Sequence, residues 1–393
     1  MKEKFEEQLQ ELHQYFGQIV SEKQTQRSLL LVQGIIESKS VNLALCAEAL
    51  SRNKGLGLSE SQIYSQYIDH FQTGNFEKLL KACFLAVFYQ TFPWAKSELV
   101  MDRTEWKLGK NWHNLLVIGY ICHDSLVPLV WVDLGERKSS SETERIELLD
   151  RLLAWWRATK IPMPPLMLYA DREFIGSEWF KALAKRDIEF VIRLKENQSF
   201  AIWRDGKMSY KTYNIKVIAR YLKRFGLSHT DIVVGDELII PFTYAEQTID
   251  NQQVATWYLA ANIADPQTAA QRYALRWAIE DTFGHFKTKG LNLEDFNLQG
   301  GHKLEIMMGI VTLVYALCIH QALSNDLVED VKIKDYKNGK KYPAKATFRL
   351  GLDSLRNIVQ NVNELLNFVL QVINTVIEVC KTRKFILKKS IVQ

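Results

Sequence analysis

The chain has 393 residues, 47% hydrophobic and 24% charged, a length that allows two or three domains around a sizeable core and a composition that reads as an ordinary soluble globular protein and does not indicate disorder. Its net charge of +5 is unevenly placed: Val331 to Gln393 holds 13 Lys or Arg against 4 Asp or Glu, so that tail carries +9 and the remainder −4. This asymmetry suits a polyanionic partner near the C-terminal segment, and a solvated helical surface equally well.

Met1-Lys-Glu-Lys-Phe-Glu-Glu is charged and lacks the apolar core of a signal peptide. Phe5, Leu9, Leu12, Phe16 and Ile19 recur at spacings of three and four and predict an amphipathic helix. A second helix is expected from about Ser40 to Leu50, broken by Arg52-Asn-Lys-Gly-Leu-Gly. Ser59 with Gln62 is a capping box that opens a third, and Phe76 to Tyr89 makes a fourth. Residues 1–94 read as an N-terminal helical domain, compatible with a helix-turn-helix DNA reader and equally with a plain helical bundle.

After Phe92-Pro93-Trp94 the period becomes strand-like. Glu98-Leu-Val-Met-Asp102 is an apolar run ending on an acid, and Asn114 to Cys122 and Leu126 to Leu134, joined by His123-Asp124-Ser125, predict a hairpin. Ser141 with Glu144 caps a helix whose apolar face is Ile146, Leu149, Leu152, Leu153 and Trp156, and Pro162, Pro164 and Pro165 stop it. Leu166-Met-Leu-Tyr-Ala-Asp171 repeats the device of an apolar strand ending on an acid. Helix Ser177 to Lys185 and strand Glu189 to Lys195 continue an alternation that implies a mixed α/β sheet.

From 197 to 261 the pattern is β-rich and reads as an inserted β subdomain. Lys207, Lys211, Lys216, Arg220, Lys223 and Arg224 are interleaved there with Trp203, Tyr210, Tyr213 and Tyr221. That mixture suits phosphate contact with base stacking, and the core of a small β unit equally well. Gly300-Gly301 opens an apolar helix to Leu323. Its run from Ile306 to Ile319, 14 residues, is short for a bilayer span and predicts a buried core helix with no membrane partner. A Lys/Gly-rich loop around Asn338-Gly339-Lys340-Lys341 and a long helical region from Thr347 to Lys381 complete the chain. The resulting division is a catalytic domain over 95–325 and a basic helical region over 326–393. Cys46, Cys83, Cys122, Cys318 and Cys380 lack zinc-site spacing and read as reduced, mostly buried cytosolic thiols.

Three acids stand out by position: Asp102 and Asp171 at the ends of separate strands, and Glu280 on a helix with Tyr273, Arg276 and Lys287. At about 100° per residue these four helix positions share one face, along a line of about 21 Å. Acids at strand ends converge at one sheet edge, where ligands sit. An all-oxygen site implies Mg²⁺ or Mn²⁺, and two such ions serve phosphodiester cleavage and strand transfer. A turn or N-cap role is the alternative for each Asp taken alone.

Asp102-Arg-Thr-x-Trp106, Tyr169-Ala-Asp171-Arg172 and Tyr273-x2-Arg276-x3-Glu280-x6-Lys287 resemble, in this order, the three signature blocks of DDE transposases of bacterial insertion-sequence family four. The resemblance covers roughly Glu98 to Phe296, and the 109 residues from Asp171 to Glu280 are similar to that family's inserted β subdomain. It implies an RNase H-like core and cut-and-paste transposition through a DNA hairpin, with two Mg²⁺ or Mn²⁺ ions held by Asp102, Asp171 and Glu280. It implies that Tyr273, Arg276 and Lys287 grip the terminal phosphate of the non-transferred strand. It further implies a homodimer working on double-stranded terminal inverted repeats and target DNA, in the bacterial cytoplasm at the nucleoid. A tryptophan from the insertion would stack on a flipped base. Trp257 is the first candidate and Trp203 the second, with core packing of equal weight for either. A DNA-binding relative that no longer transposes, and a stand-alone nuclease of the same fold, are the alternatives.

Glu173, Asp281, Glu294 and Asp295 do not fit the triad spacing and read as solvated. His285 and His302 read as surface or core residues, and Trp277 as core packing. If the basic tail contacts DNA, neutralising Lys381, Arg383, Lys384, Lys388 and Lys389 should weaken binding and flatten its dependence on salt; an unchanged salt slope returns the tail to a helix surface.

Overall fold

Capping and apolar signals set the start of the described chain. The computed structural model describes residues 22–372 apart from 53–55, 74–96, 137–138, 158–162, 236–237, 251–252, 264, 288–289, 299, 330, 336–340, 360–363, 366 and 370. The helices expected over Phe5 to Ile19 and Phe76 to Tyr89 lie outside the described residues, as do Cys83, Cys380 and the end of the basic tail. Helix α1 (Glu22–Ser38) has no counterpart among the expected elements: its run from Leu29 to Val32 is buried on every side, so the sequence carries no amphipathic stripe there. Helix α2 (Leu43–Ser51) starts at Asn42, whose side chain accepts from the N–H groups of Ala44 and Leu45. Helix α3 (Glu60–Thr73) opens on the expected capping box, with Ser59 N donating to Gln62 Oε1 at 2.8 Å.

The sheet elements follow. Strands β1 (Ser97–Leu108), β2 (Asn111–Cys122) and β3 (Ser125–Asp133) form an antiparallel meander, with β2 and β3 as the expected hairpin. Next come α4 (Glu142–Arg157), β4 (Leu166–Ala170), α5 (Ser177–Lys185) and β5 (Glu189–Arg193). The capping box of α4 is present, Ser141 N donating to Glu144 Oε2 at 2.8 Å. Strand β4 is buried at all five positions, which explains its uninterrupted apolar sequence. Then come β6 (Ser199–Arg204), β7 (Lys207–Asn214), α6 (Ile215–Phe225), β8 (His229–Val234), β9 (Leu238–Asp250) and β10 (Gln253–Ala261). Helix α7 (Pro266–Arg272), a 3₁₀ turn (Tyr273–Trp277) and α8 (Ala278–Lys287) lead to α9 (Gly301–Ser324), the hairpin β11 (Ile333–Asp335) and β12 (Lys341–Pro343), and α10 (Thr347–Ile358).

Ten strands make one mixed sheet in the order β3-β2-β1-β4-β5-β10-β9-β8-β6-β7. Only β1, β4 and β5 are mutually parallel; every other neighbouring pair is antiparallel. Three expectations are corrected. Strand β1 does not end at Asp102 but runs on to Leu108, because β2 pairs with it all the way from Leu99↔Tyr120 to Leu108↔Asn111. The span 197–261 is not all β: Asn214 and Gly226 cap α6, which buries Ile215, Ile218, Ala219 and Leu222 on one face, and β6 to β9 extend the main sheet beyond β10. The helix from Thr347 is interrupted at Val359, whose ψ of 84° leaves the helical region.

Helix α9 is the expected core helix. It is long and apolar enough to cross a membrane, yet 94% of its apolar window is buried inside the protein. It packs against α1, α10 and β3, and Val41 N donates to Leu291 O at 3.0 Å, so the N-terminal helices share its core. Cys46, Cys122 and Cys318 are buried free thiols. The crossing of α9 and α10 is at backbone contact: a Cβ on Gly351 would lie 1.7 Å from Cys318 O. Gly351→Ala should force the helices apart and cost about 3 kcal/mol, read as a lower urea midpoint; an unchanged midpoint would contradict this crossing.

Candidate active site

Parallel pairing brings the first two acids together. Strands β1 and β4 pair from Ser97↔Leu166 to Met101↔Ala170, so Asp102 and Asp171 occupy the next position on each. Adjacent strand backbones lie about 4.8 Å apart. This is the carboxyl end of the parallel strands, where loops leave a sheet and ligands bind. Each carboxylate accepts a local backbone N–H: Asp102 Oδ1 from Arg103 at 2.8 Å, and Asp171 Oδ1 from Glu173 at 2.7 Å.

Glu280 arrives from the first turn of α8. The continuous α-helix expected from Tyr273 is not present, since Tyr273–Trp277 is a 3₁₀ turn. At three residues per turn, Tyr273 and Arg276 are eclipsed and both are taken into the protein, at 2% and 8% exposure. The polar line therefore bends inward instead of following one exposed edge. The Tyr273 hydroxyl donates to Ala170 O at 3.1 Å, which ties the turn to the end of β4 just before Asp171. Arg276 donates from Nη1 to Asp102 Oδ2 at 3.0 Å and from Nη2 to Glu280 Oε1 at 2.7 Å. Helix α8 is pinned by Thr282, whose Oγ1 accepts from Leu126 N at 2.9 Å and meets the Tyr315 hydroxyl at 3.1 Å.

Charge and burial are in tension here. Burial pushes Asp102 up to about 7, against the lowering influence of Arg276 and the Arg103 N–H, and Asp171 and Glu280 add to the rise. Burial works against the charge on Arg276, but Tyr273, Asp102 and Glu280 together outweigh it and hold the guanidinium above its ordinary value. Burial likewise raises the Tyr273 phenol. Among the described residues no three His, Cys, Asp or Glu side chains gather closely enough to hold a metal. A guanidinium lies instead between Asp102 and Glu280, with its Nε buried and without a hydrogen-bond partner. A position already neutralised by a cation, whose hydrogen bonds all go to carboxylate oxygens, fits a hard divalent ion once Arg276 withdraws.

The other expected residues fall as follows. Lys287 ends α8, half-buried, two turns beyond Glu280 on the same face. Trp257 is buried and packs edge-on against Tyr273, ring centroids 5.2 Å apart. Trp203 lines a groove of about 830 Å³ with Tyr213, Tyr221 and Arg204. Strand β6, which carries it, stands five strand spacings from β4, about 24 Å. Asp281, Glu294, Asp295 and His302 are exposed, and His285 is buried with Nδ1 3.2 Å from the Tyr315 hydroxyl. Two expectations fail. Glu173 is not solvated but bonded to Arg103, and Trp277 is half exposed, with the Arg276 guanidinium 5.4 Å from its ring. Sequence reasoning placed Arg103 in the Asp102-Arg-Thr-x-Trp106 block without giving it a role, and missed Thr282.

The family model described as "Transposase DDE domain" matches residues 93–317, more than half of the chain. No curated protein matches the sequence. Among solved structures, the chain is similar to a piggyBac transposase synaptic complex with hairpin DNA, at a TM-score of 0.44 and 9% identity over 92% of this chain and 73% of that one. It is also similar to the Argonaute of Kluyveromyces polysporus with a guide RNA, at 0.24 and 11% over 66% and 34%.

The electrostatics give a signed prediction for the metal-free protein. The folded value of Asp102, about 7, lies above the ordinary 3.8, so between these values the folded chain holds a proton that the unfolded chain has released, and stability falls as pH rises through that window. Arg276→Met removes the largest influence opposing burial. Asp102 should then titrate above 7 by carboxyl ¹³C NMR, and the fall in urea midpoint should extend to higher pH; a downward shift would contradict the assigned pairing.

Proposed function

Because this chain belongs to the Transposase DDE domain family, we propose that it is a cut-and-paste transposase of the bacterial insertion-sequence family four type, acting on the ends of its own element. The observation that carries this reading is the meeting of Asp102 and Glu280 on Arg276, with Asp171 beside Asp102 on the neighbouring parallel strand. The strand order β3-β2-β1-β4-β5 supports an RNase H-like core. The excursion β6 to β9 between β5 and β10, which pair directly, supports an insertion within it.

DDE transposase domains generally use divalent metal ions. Here Asp102, Asp171 and Glu280 would hold two Mg²⁺ or Mn²⁺, which when bound activate a water or 3′-hydroxyl and stabilise the leaving oxygen. Arg276 leaves the two carboxylates and presents its planar fork to a backbone phosphate, an acceptor that it meets bidentately. Lys287 supplies a second cation from the same face of α8. Tyr273 joins them only by giving up its bond to Ala170 O. Trp257 reaches a flipped base only by leaving its packing on Tyr273.

Hydrolysis at one strand frees a 3′-hydroxyl, whose attack on the opposite strand closes a hairpin and releases the flanking DNA. Water reopens the hairpin, and the two 3′-hydroxyls then attack target DNA. Two copies of the chain pair the two inverted repeats, in the bacterial cytoplasm at the nucleoid, with the N-terminal helices and basic tail as further DNA contacts.

Purified protein, Mg²⁺ and labelled DNA carrying the inverted repeats that flank its gene should yield nicked, hairpin and joined species on a denaturing gel. Asp102→Ala, Asp171→Ala and Glu280→Ala should each lower cleavage by at least about a thousandfold while leaving end binding intact. Cleavage at the wild-type rate by any one of them removes that residue from the site. Cleavage without joining of pre-cut ends would mark a nuclease of the same fold.

A further inference from the structure

Arg103 and Glu173 stand immediately beyond the two strand-borne acids and are bonded to each other. Arg103 Nη2 donates to Glu173 Oε2 at 2.7 Å, and Nε donates to Oε1, a bidentate pair. The pair is shielded: the side chains are 14% and 26% exposed. Glu173 Oε1 also accepts the Ser140 N–H, at 3.5 Å, from the loop that leads into α4. The same two residues hold the catalytic carboxylates through their own backbone, the Arg103 N–H on Asp102 Oδ1 and the Glu173 N–H on Asp171 Oδ1.

The bonds therefore form a chain between the two acids. It runs from the Asp102 carboxylate to the Arg103 amide, along the Arg103 side chain to the Glu173 side chain, and back through the Glu173 amide to the Asp171 carboxylate. The direct pairing of β1 with β4 ends at Met101 and Ala170, one residue short of both acids. Beyond that point the Arg103–Glu173 pair joins the two segments directly.

We propose that Arg103 and Glu173 are positioning residues that set the spacing and rotation of Asp102 and Asp171 for divalent metal. This rests on the proposed function, because it assumes that the two acids bind the ions. Groups that orient metal ligands typically change metal affinity or activity by about 10- to 100-fold when removed. A lysine at 103 would keep the charge but not the fork, so the two-point bond to Glu173 depends on arginine.

The test is Mn²⁺ binding to the full DNA-free chain, followed by electron paramagnetic resonance, with melting temperature and end binding in EDTA measured in parallel. Arg103→Gln and Glu173→Gln should each weaken Mn²⁺ binding about tenfold or more, with melting temperature and end binding near wild type. The exchanged pair, Arg103→Glu with Glu173→Arg, should recover most of the affinity, which a merely structural bridge would not require. If Arg103→Gln does not fold, Glu173→Gln, nearly equal in volume, reads the same bond. Single variants that bind Mn²⁺ as wild type does, or an exchanged pair that recovers nothing, overturn the positioning role alone. A chain that binds no Mn²⁺ even when Arg276→Met removes the competing guanidinium overturns the metal reading and this inference with it.

Discussion

The structure of the site depends on one guanidinium. Arg276 bonds Asp102 on β1 and Glu280 on α8, and the 3₁₀ turn that carries it is tied by Tyr273 to the end of β4. The two halves of this bridge differ. Asp102 is largely shielded and raised to about 7, whereas Glu280 keeps a side-chain exposure of 44% and sits at the mouth of the site. A buried carboxylate that has lost its only cation is costly, about 3–5 kcal/mol for a fully buried pair. Without Arg276, Asp102 is left to a proton or to another cation.

The scaffold around that bridge explains how the chain keeps two aspartates side by side at the end of its parallel strands. Parallel pairing of β1 with β4 places them side by side, and the longer partner β2 holds β1 straight past Asp102. Thr282 and Phe283 fix α8 on the opposite side, the first to β3 and α9, the second edge-on to the buried Trp106. Helix α9 backs the arrangement with an apolar surface on all sides. Backbone pairing and core packing hold the frame, and Arg276 stands within it bonded to Asp102 and Glu280.

Much of this was legible in the residues. The capping boxes at Ser59 and Ser141, the hairpin at His123-Asp124-Ser125 and the core helix from Gly301 all carry local signals strong enough to survive tertiary context. Helix α6 was equally written, in Asn214, Gly226 and the spacing of Ile215, Ile218, Ala219 and Leu222, but its Tyr, Ile and Val content suits a strand as well. Helix α1 could not be read by period because burial on all sides erases it. The 3₁₀ turn at Tyr273 is a tertiary decision: the phenol's bond to Ala170 O lies 103 residues away in sequence. Trp277 was misread because the same turn rotates it outward, and Glu173 because its partner Arg103 is 70 residues distant.

The central proposal is that Arg276 holds, in the metal-free protein, the place that a divalent cation would take between Asp102 and Glu280. The direct test is calorimetric titration of Mn²⁺ into the DNA-free wild-type chain and into Arg276→Met. Competition by the guanidinium predicts tighter Mn²⁺ binding by Arg276→Met. Equal or weaker binding would contradict it.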